Sequence, residues 1–291
     1  LMVVVSDVSE LETARKRTER LNSIARAIRN VNQLITKEDD RQRLLQGACD
    51  NLTENLSYRN AWVALVDDDG QAVQATAFSG AERDFSRLQA HLERGSFPAC
   101  MKTAMKQAAV TVAKDAVKLC SDCPMEDFHS DYCGLARRLE SYGKIYGVLV
   151  VYVPRAVADD PEEHDLFEEL AGDLAFALHK IELAEQKRES EQRIHSIFRS
   201  APIGVGVVSD RILKELNPRL CEITGYNAEE LINQSARLLY PSDEDYEYVG
   251  REKYTQIRAH GTGTVETRWN RKDGAVRSEE RRVGKECATG C

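Results

Sequence analysis

The chain has 291 residues, 42% hydrophobic and 30% charged, with 48 acidic against 40 basic side chains and a formal net charge of −8. At roughly 100–200 residues per domain this length predicts two globular units, and the composition excludes a disordered or collagen-like chain. The acidic balance argues against nucleic acid or an anionic membrane surface as main partner. The longest apolar runs, Ala61–Val66 and Val148–Val153, fall far short of the roughly 20 residues a membrane-spanning helix needs. No basic segment followed by an apolar one opens the sequence. The eight cysteines read as thiols of a reducing compartment in a chain this long, so a cytoplasmic location is expected.

The sequence starts with an apolar, β-branched stretch, Leu1–Ser6, followed by Ser9 and Glu12 at the spacing of a capping box. A helix is predicted next. Leu21, Ile24, Ile28, Val31 and Ile35 are spaced 3, 4, 3, 4, the seam of a coiled coil, and Glu12 with Lys16 adds an i,i+4 pair. That spacing predicts a parallel helix pair in a homodimer; it equally fits one amphipathic helix packed on its own domain. A second amphipathic helix is predicted over 39–56 through Leu44, Leu45, Ala48, Leu52 and Leu56.

The pattern then changes to strands. Asn60–Val66, the turn Asp67-Asp68-Asp69-Gly70 and Gln71–Phe78 form a hairpin pattern. Short helices are predicted over Phe85–Leu92 and around Lys102–Gln107, and a short strand over Ala109–Val112. A polar, cysteine-bearing loop leads to the β-branched strand Gly147–Val153, stopped by Pro154. A long helix follows, with Phe167, Leu170, Leu174, Leu178 and Ile181 on one face, running on through the charged stretch Glu182–Arg193.

With the segments Tyr58-Arg59-Asn60-Ala61-Trp62 through Asp67 and Gly143-Lys144-Ile145-Tyr146-Gly147 through Tyr152, this order of elements resembles a GAF domain over residues 21–184. A helical linker is expected over 185–190. The stretch Asn217-Pro218-Arg219-Leu220-Cys221 through Leu231, with the turn Arg271-Lys272-Asp273-Gly274, resembles a PAS domain over 191–277. Asn227 is positioned to cap a helix with Glu230 at its third position, and Ser242 with Asp245 repeats the arrangement. Residues 1–20 resemble the last strand and signalling helix of a preceding PAS domain. The second PAS pattern is expected to break off after residue 277, because Ser278–Glu286 carries six charged residues in nine. The segment 278–291 is therefore expected to be foreign to the protein. The fold class so implied is α+β, two sensory domains, each an antiparallel sheet flanked by helices, joined by long coiled-coil-like helices.

Chemistry concentrates in cysteine. Cys100, Cys120, Cys123 and Cys133 lie in the GAF-like half, with Cys120 and Cys123 in a C-x2-C knuckle. Four thiolates so placed suit a tetrahedral zinc site, an Fe–S cluster or a reversible disulfide switch; unrelated core and loop cysteines are the plainer alternative. His129 could replace one sulfur or be a solvated loop residue. Cys49 and Cys221 read as small core residues. There is no phosphate-binding glycine loop. Tested against its family's ligand motifs, the chain lacks the flavin-attaching cysteine motif at Asn217–Glu222 and has Arg251 where a haem-binding PAS has its histidine. It lacks the cyclic-nucleotide signature near His164–Glu169, and Gly134 follows Cys133 where a bilin-binding GAF has a histidine.

The resemblance implies the input and relay module of a bacterial signalling protein, most like a two-component sensor histidine kinase. The kinase or cyclase output domain, and the response regulator it addresses, would lie outside this chain, which would hold no catalytic domain. A diguanylate cyclase is the alternative parent. An enzyme resembling the GAF-type free methionine sulfoxide reductases, using Cys100, Cys120 and Cys123, is the alternative of another class.

Overall fold

In the computed structural model, residues 8–56, 58–80, 82–114, 131–260 and 262–284 are described. They fall into two compact units divided between Glu185 and Gln186.

The apolar runs at 60–66 and 147–153 form the middle of the first unit's sheet. Its strands are β1 (Asn60–Val66), β2 (Val73–Ser79), β3 (Thr111–Ala113), β4 (Tyr132–Ser141) and β5 (Lys144–Pro154). They lie in the order β2-β1-β5-β4-β3 with every neighbouring pair antiparallel. β1 and β5 are covered on both faces, so they read as continuous hydrophobic runs instead of alternating ones. The Asp67–Gly70 turn closes as expected. Gly70 takes φ 68°, and the Asp67 carboxylate accepts the amides of Gln71 at 2.7 Å and Ala72 at 3.1 Å. Those amides, Ala72 first, hold the Asp67 carboxyl below its ordinary value.

One face of the sheet packs on helices α1 (Val8–Lys37), α2 (Arg41–Leu56) and α5 (Pro161–Ser200). The other is covered by α3 (Glu82–Glu93) and α4 (Ala99–Lys106). Local sequence starts these helices: Asp40 Oδ1 accepts the Arg43 amide at 2.8 Å, and Asp160 Oδ1 accepts the Glu162 amide at 3.0 Å with Pro161 in first position. α1 begins at Val8, so Ser9 falls inside its first turn instead of capping it.

The expected seam of α1 has a different partner from the one its spacing suggested. Val31 is buried in the unit's own core, and Ile24, Ile28 and Ile35 pack against that core; the Leu21 side chain lies outside the described residues. Asn51 Nδ2 donates to the Ala27 carbonyl at 2.9 Å. At Gly47 a Cβ would come within 2.8 Å of Leu34, so the absent side chain lets α1 lie close on α2. The seam is thus satisfied within one chain. Strand β4 was not anticipated at all.

The second unit holds two hairpins, β6 (Gly206–Ser209) with β7 (Ile212–Leu216) and β8 (Thr262–Asn270) with β9 (Val276–Gly284). Between them come α6 (Pro218–Thr224), α7 (Ala228–Leu231), a 3₁₀ turn at Ala236–Leu239 and α8 (Asp243–His260). Asn227 and Glu230 form the anticipated capping box, and Ser242 Oγ accepts the Asp245 amide at 3.1 Å. Leu213, Leu231, Leu239, Tyr240, Val249 and Val265 form the core. β9 pairs in register from Asn270↔Val276 to Thr262↔Gly284, which corrects the expectation that strand structure stops at residue 277. A two-stranded ladder is made of backbone groups, so dense charge does not prevent it. Residues 285–291, with Cys287 and Cys291, lie outside the described residues.

Candidate functional site

Alternation along β1 and β5 sorts their side chains onto two faces. Ala61, Val63 and Leu65 with Leu149, Val151 and Val153 meet the α1, α2 and α5 layer. Trp62, Ala64 and Val66 with Val148, Val150 and Tyr152 meet α3 and α4. The second face is the candidate ligand layer. Its floor is kept low by small side chains, Ala64, Ala113 and Ala136, below Ala104 of α4. Its margin is aromatic: Phe78, Phe85, Phe97 and Tyr132 are partly buried against it. The Phe78 and Phe85 rings stack with centroids 4.4 Å apart and planes 12° from parallel.

Trp62 brings a polar N–H into this layer, as Tyr152 brings a hydroxyl. It sits on β1 between Phe78 of β2 and Val150 of β5 and is 1% exposed. Its indole Nε1–H finds no acceptor among the described residues. A buried donor left unmade costs about 1–3 kcal/mol, which a bound molecule offering an oxygen or nitrogen lone pair would recover. An aromatic, low-floored layer holding an unmet indole donor suits a small, largely apolar ligand with an acceptor. Composition did not point to Trp62; the signal was its even position in a strand whose odd positions face the helices.

Of the four expected cysteine ligands, Cys100 and Cys133 lie among the described residues, on opposite faces of the sheet. Cys100 is buried on α4 in the α3 and α4 layer, whereas Cys133, at the start of β4, is buried in the core on the opposite face of the sheet. Cys120, Cys123 and His129 lie outside the described residues. Among the described residues no three His, Cys, Asp or Glu side chains gather as a metal site requires, and no disulfide forms. Cys49 is a core residue, as expected, and burial pushes its thiol far up.

A polar contact ties the helices on the other face. Glu163, in the first turn of α5, is 2% exposed. Its carboxylate accepts both the Arg20 guanidinium of α1 and the Tyr58 hydroxyl. Arg20 also donates to the Leu56 carbonyl at 2.8 Å, where α2 ends. Burial first, and the Glu163 carboxylate second, push the Tyr58 phenol far up, so it remains a donor. Among the described residues no helix is long and apolar enough to cross a membrane.

The chain is 38% identical over 80 residues to the sensor protein TdiS of Thauera aromatica; the match spans 28% of this chain and 15% of that protein. The GAF domain of a phosphoenolpyruvate-protein phosphotransferase from Coxiella burnetii is 17% identical with a TM-score of 0.45, over 56% of this chain and 97% of that one. The PAS domain of a LuxR-family transcriptional regulator from Burkholderia thailandensis, solved with ethanol, is 27% identical with a TM-score of 0.30, over 30% of this chain and 78% of that one. Residues 38–179 match the family model of the GAF domain and residues 192–285 that of the PAS fold. The chain therefore carries a GAF domain followed by a PAS domain, two sensory domain types in series.

Proposed function

We propose that this chain is the input and relay segment of a two-component sensor histidine kinase, acting as a parallel homodimer. A small ligand enters the GAF layer and accepts a hydrogen bond from the Trp62 indole Nε1–H. The change passes along α5 toward the PAS domain and an output domain beyond.

The observation that carries the reading is the unpartnered face of α5. Phe176, Leu183 and Ile197 are 50%, 52% and 62% exposed and share one heptad position, with Ile194, 65% exposed, three residues before Ile197. Seven-residue spacing of apolar side chains suits a second copy of the same helix. Ser190 at the same heptad position, with Lys180 and Lys187 beside it, interrupts the stripe, which weakens the pairing and leaves room for two packings of similar energy. A signal then needs only about 1–3 kcal/mol of differential binding to shift the balance.

The test is sedimentation of the 291-residue chain beside its Leu183→Asp/Ile197→Asp variant. A dimer in the micromolar range, lost in the variant with the far-UV spectrum unchanged, supports the reading. A monomer in both removes it. Joined in helical register to a kinase core lacking its own sensor, the chain should sustain autophosphorylation that the same variant lowers at least about tenfold, in line with coupling energies of this kind. Ligand entry is read at the Trp62 indole proton resonance, which moves on binding while that of Trp269 does not.

A further inference from the structure

The β4–β5 hairpin turns through Tyr142 and Gly143, at φ 50° and 79°. Just past the turn the ladder slips. Leu139 lies opposite Gly147 and Glu140 opposite Ile145, which leaves Tyr146 as an extra residue without a cross-strand partner. A one-residue bulge reverses the facing of what precedes it and re-aims a side chain. Val148 and Val150 face the candidate ligand layer, whereas Tyr146, an even step away, is buried on the helix side at 6% exposure. Gly147 makes the bulge feasible: a Cβ there would stand 2.0 Å from the Ala64 carbonyl oxygen.

The re-aimed phenol meets α5 at its last turns within the GAF unit. Tyr146 Oη donates to Glu182 Oε2 at 2.7 Å and lies 2.8 Å from His179 Nδ1. Lys144 Nζ donates to Glu182 Oε1 at 2.6 Å and pairs with Asp68 Oδ1 of the β1–β2 turn at 2.9 Å. The Tyr142 ring rests 4.7 Å from the His179 ring, and Arg41 at the start of α2 pairs with Glu185 at 3.0 Å. The hairpin, a second turn and α2 thus all fasten to residues 179–185 of α5.

We infer that Tyr146 and Glu182 form a coupling clasp, through which movement of strand β5 under the ligand layer is passed to α5 where the helix leaves the GAF domain. Packing alone asks for no bulge here, since an unslipped strand would place an apolar residue on this face. The bulge sacrifices one ladder position and brings a hydroxyl to the helix instead. Val148, Val150 and Tyr152 of the ligand layer and Tyr146 of the clasp share one strand, so the connection is continuous and covalent. The coupling serves the relay proposed above; the clasp itself is measurable whether or not that relay exists.

Amide hydrogen exchange of the 291-residue chain, read by mass spectrometry, tests it. Tyr146→Phe keeps the ring and removes the hydroxyl. Exchange over residues 179–186 should quicken about tenfold, the scale of one hydrogen bond to a charged group, while β1 and β5 keep their protection. Lys144→Gln, at a half-exposed position, should quicken the same segment, and it serves as the readout if Tyr146→Phe does not fold. Unchanged exchange at 179–186, or an equal increase across the whole unit, overturns the clasp. Coupling is read from Val150→Ala on the ligand face. It should quicken 179–186 when Tyr146 is intact and add nothing in the Tyr146→Phe background. Additive effects overturn the coupling and leave the clasp a local fastening.

Discussion

A carboxylate as enclosed as Glu163 needs its charge met, and Arg20 with Tyr58 meets it from two directions. Removing one member of a buried ion pair leaves the other uncompensated. Glu163→Gln should therefore lower unit stability by about 3 kcal/mol in urea titration, the low end of the range for such pairs, because Arg20 keeps 30% side-chain exposure. Tyr58→Phe should cost less, since Arg20 still neutralises the carboxylate. Glu182 sets a different dependence. Burial pushes its carboxyl up, but the bonds from Lys144 and Tyr146 outweigh that and bring it below the ordinary value. A depressed carboxyl stabilises fully above its unfolded value, about pH 4.3, and the contribution is lost as pH falls through the lower folded value. Acid unfolding of the wild type should accordingly steepen below about pH 4, and Glu182→Gln should flatten that limb while lowering stability at neutral pH. The cysteines belong to this scale too. Spacing brought Cys100 and Cys133 together on paper, but spacing carries no information about which face of a sheet a thiol occupies.

Among the elements, those built on local rules were readable. Asp-Gly turns closed the β1–β2 and β8–β9 hairpins, Asn227 and Glu230 capped α7, and the unbroken apolar runs of β1 and β5 announced strands buried on both faces. β4 was not readable because Arg137, Arg138 and Glu140 interrupt its alternation. Arg137 pairs with Glu168 of α5 at 2.8 Å, a tertiary partner, and Arg138 with Glu140 of the same strand at 2.5 Å, so the charges that break the alternation are met in the fold. α1 gives the opposite lesson. A 3-4 spacing records that a helix face is covered, not by what, and here the cover is α2 and the sheet's helix-side core. Ile28→Asp should thus lower the unfolding midpoint of the GAF unit, since an ionised group would be pressed against apolar surface. Its sedimentation coefficient under native conditions should match the wild type, unlike that of Leu183→Asp/Ile197→Asp.

At the scale of the molecule, domain order was legible because each domain type carries its own punctuation, while the candidate site was only half legible. Part of its aromatic and small residues, Phe78 and Ala64 among them, stands on strands, but the inward indole and the bulge that turns Tyr146 around exist only once strands are in register. The boundary at residue 277 shows the reverse failure. Charge density argued for an ending, and β9 continues to Gly284 because pairing is a backbone property.

The grip on α5 at Glu182 also sets a mechanical advantage. At 1.5 Å per residue, the helix from Glu182 to Ser200 extends about 27 Å beyond the clasp. A tilt of about 5° at Tyr146 would swing the far end by about 2 Å, assuming a stiff helix of that length. Lengthening this arm by a whole turn should enlarge the swing while keeping its direction, whereas an insertion of two residues should rotate the direction to the other side of the helix.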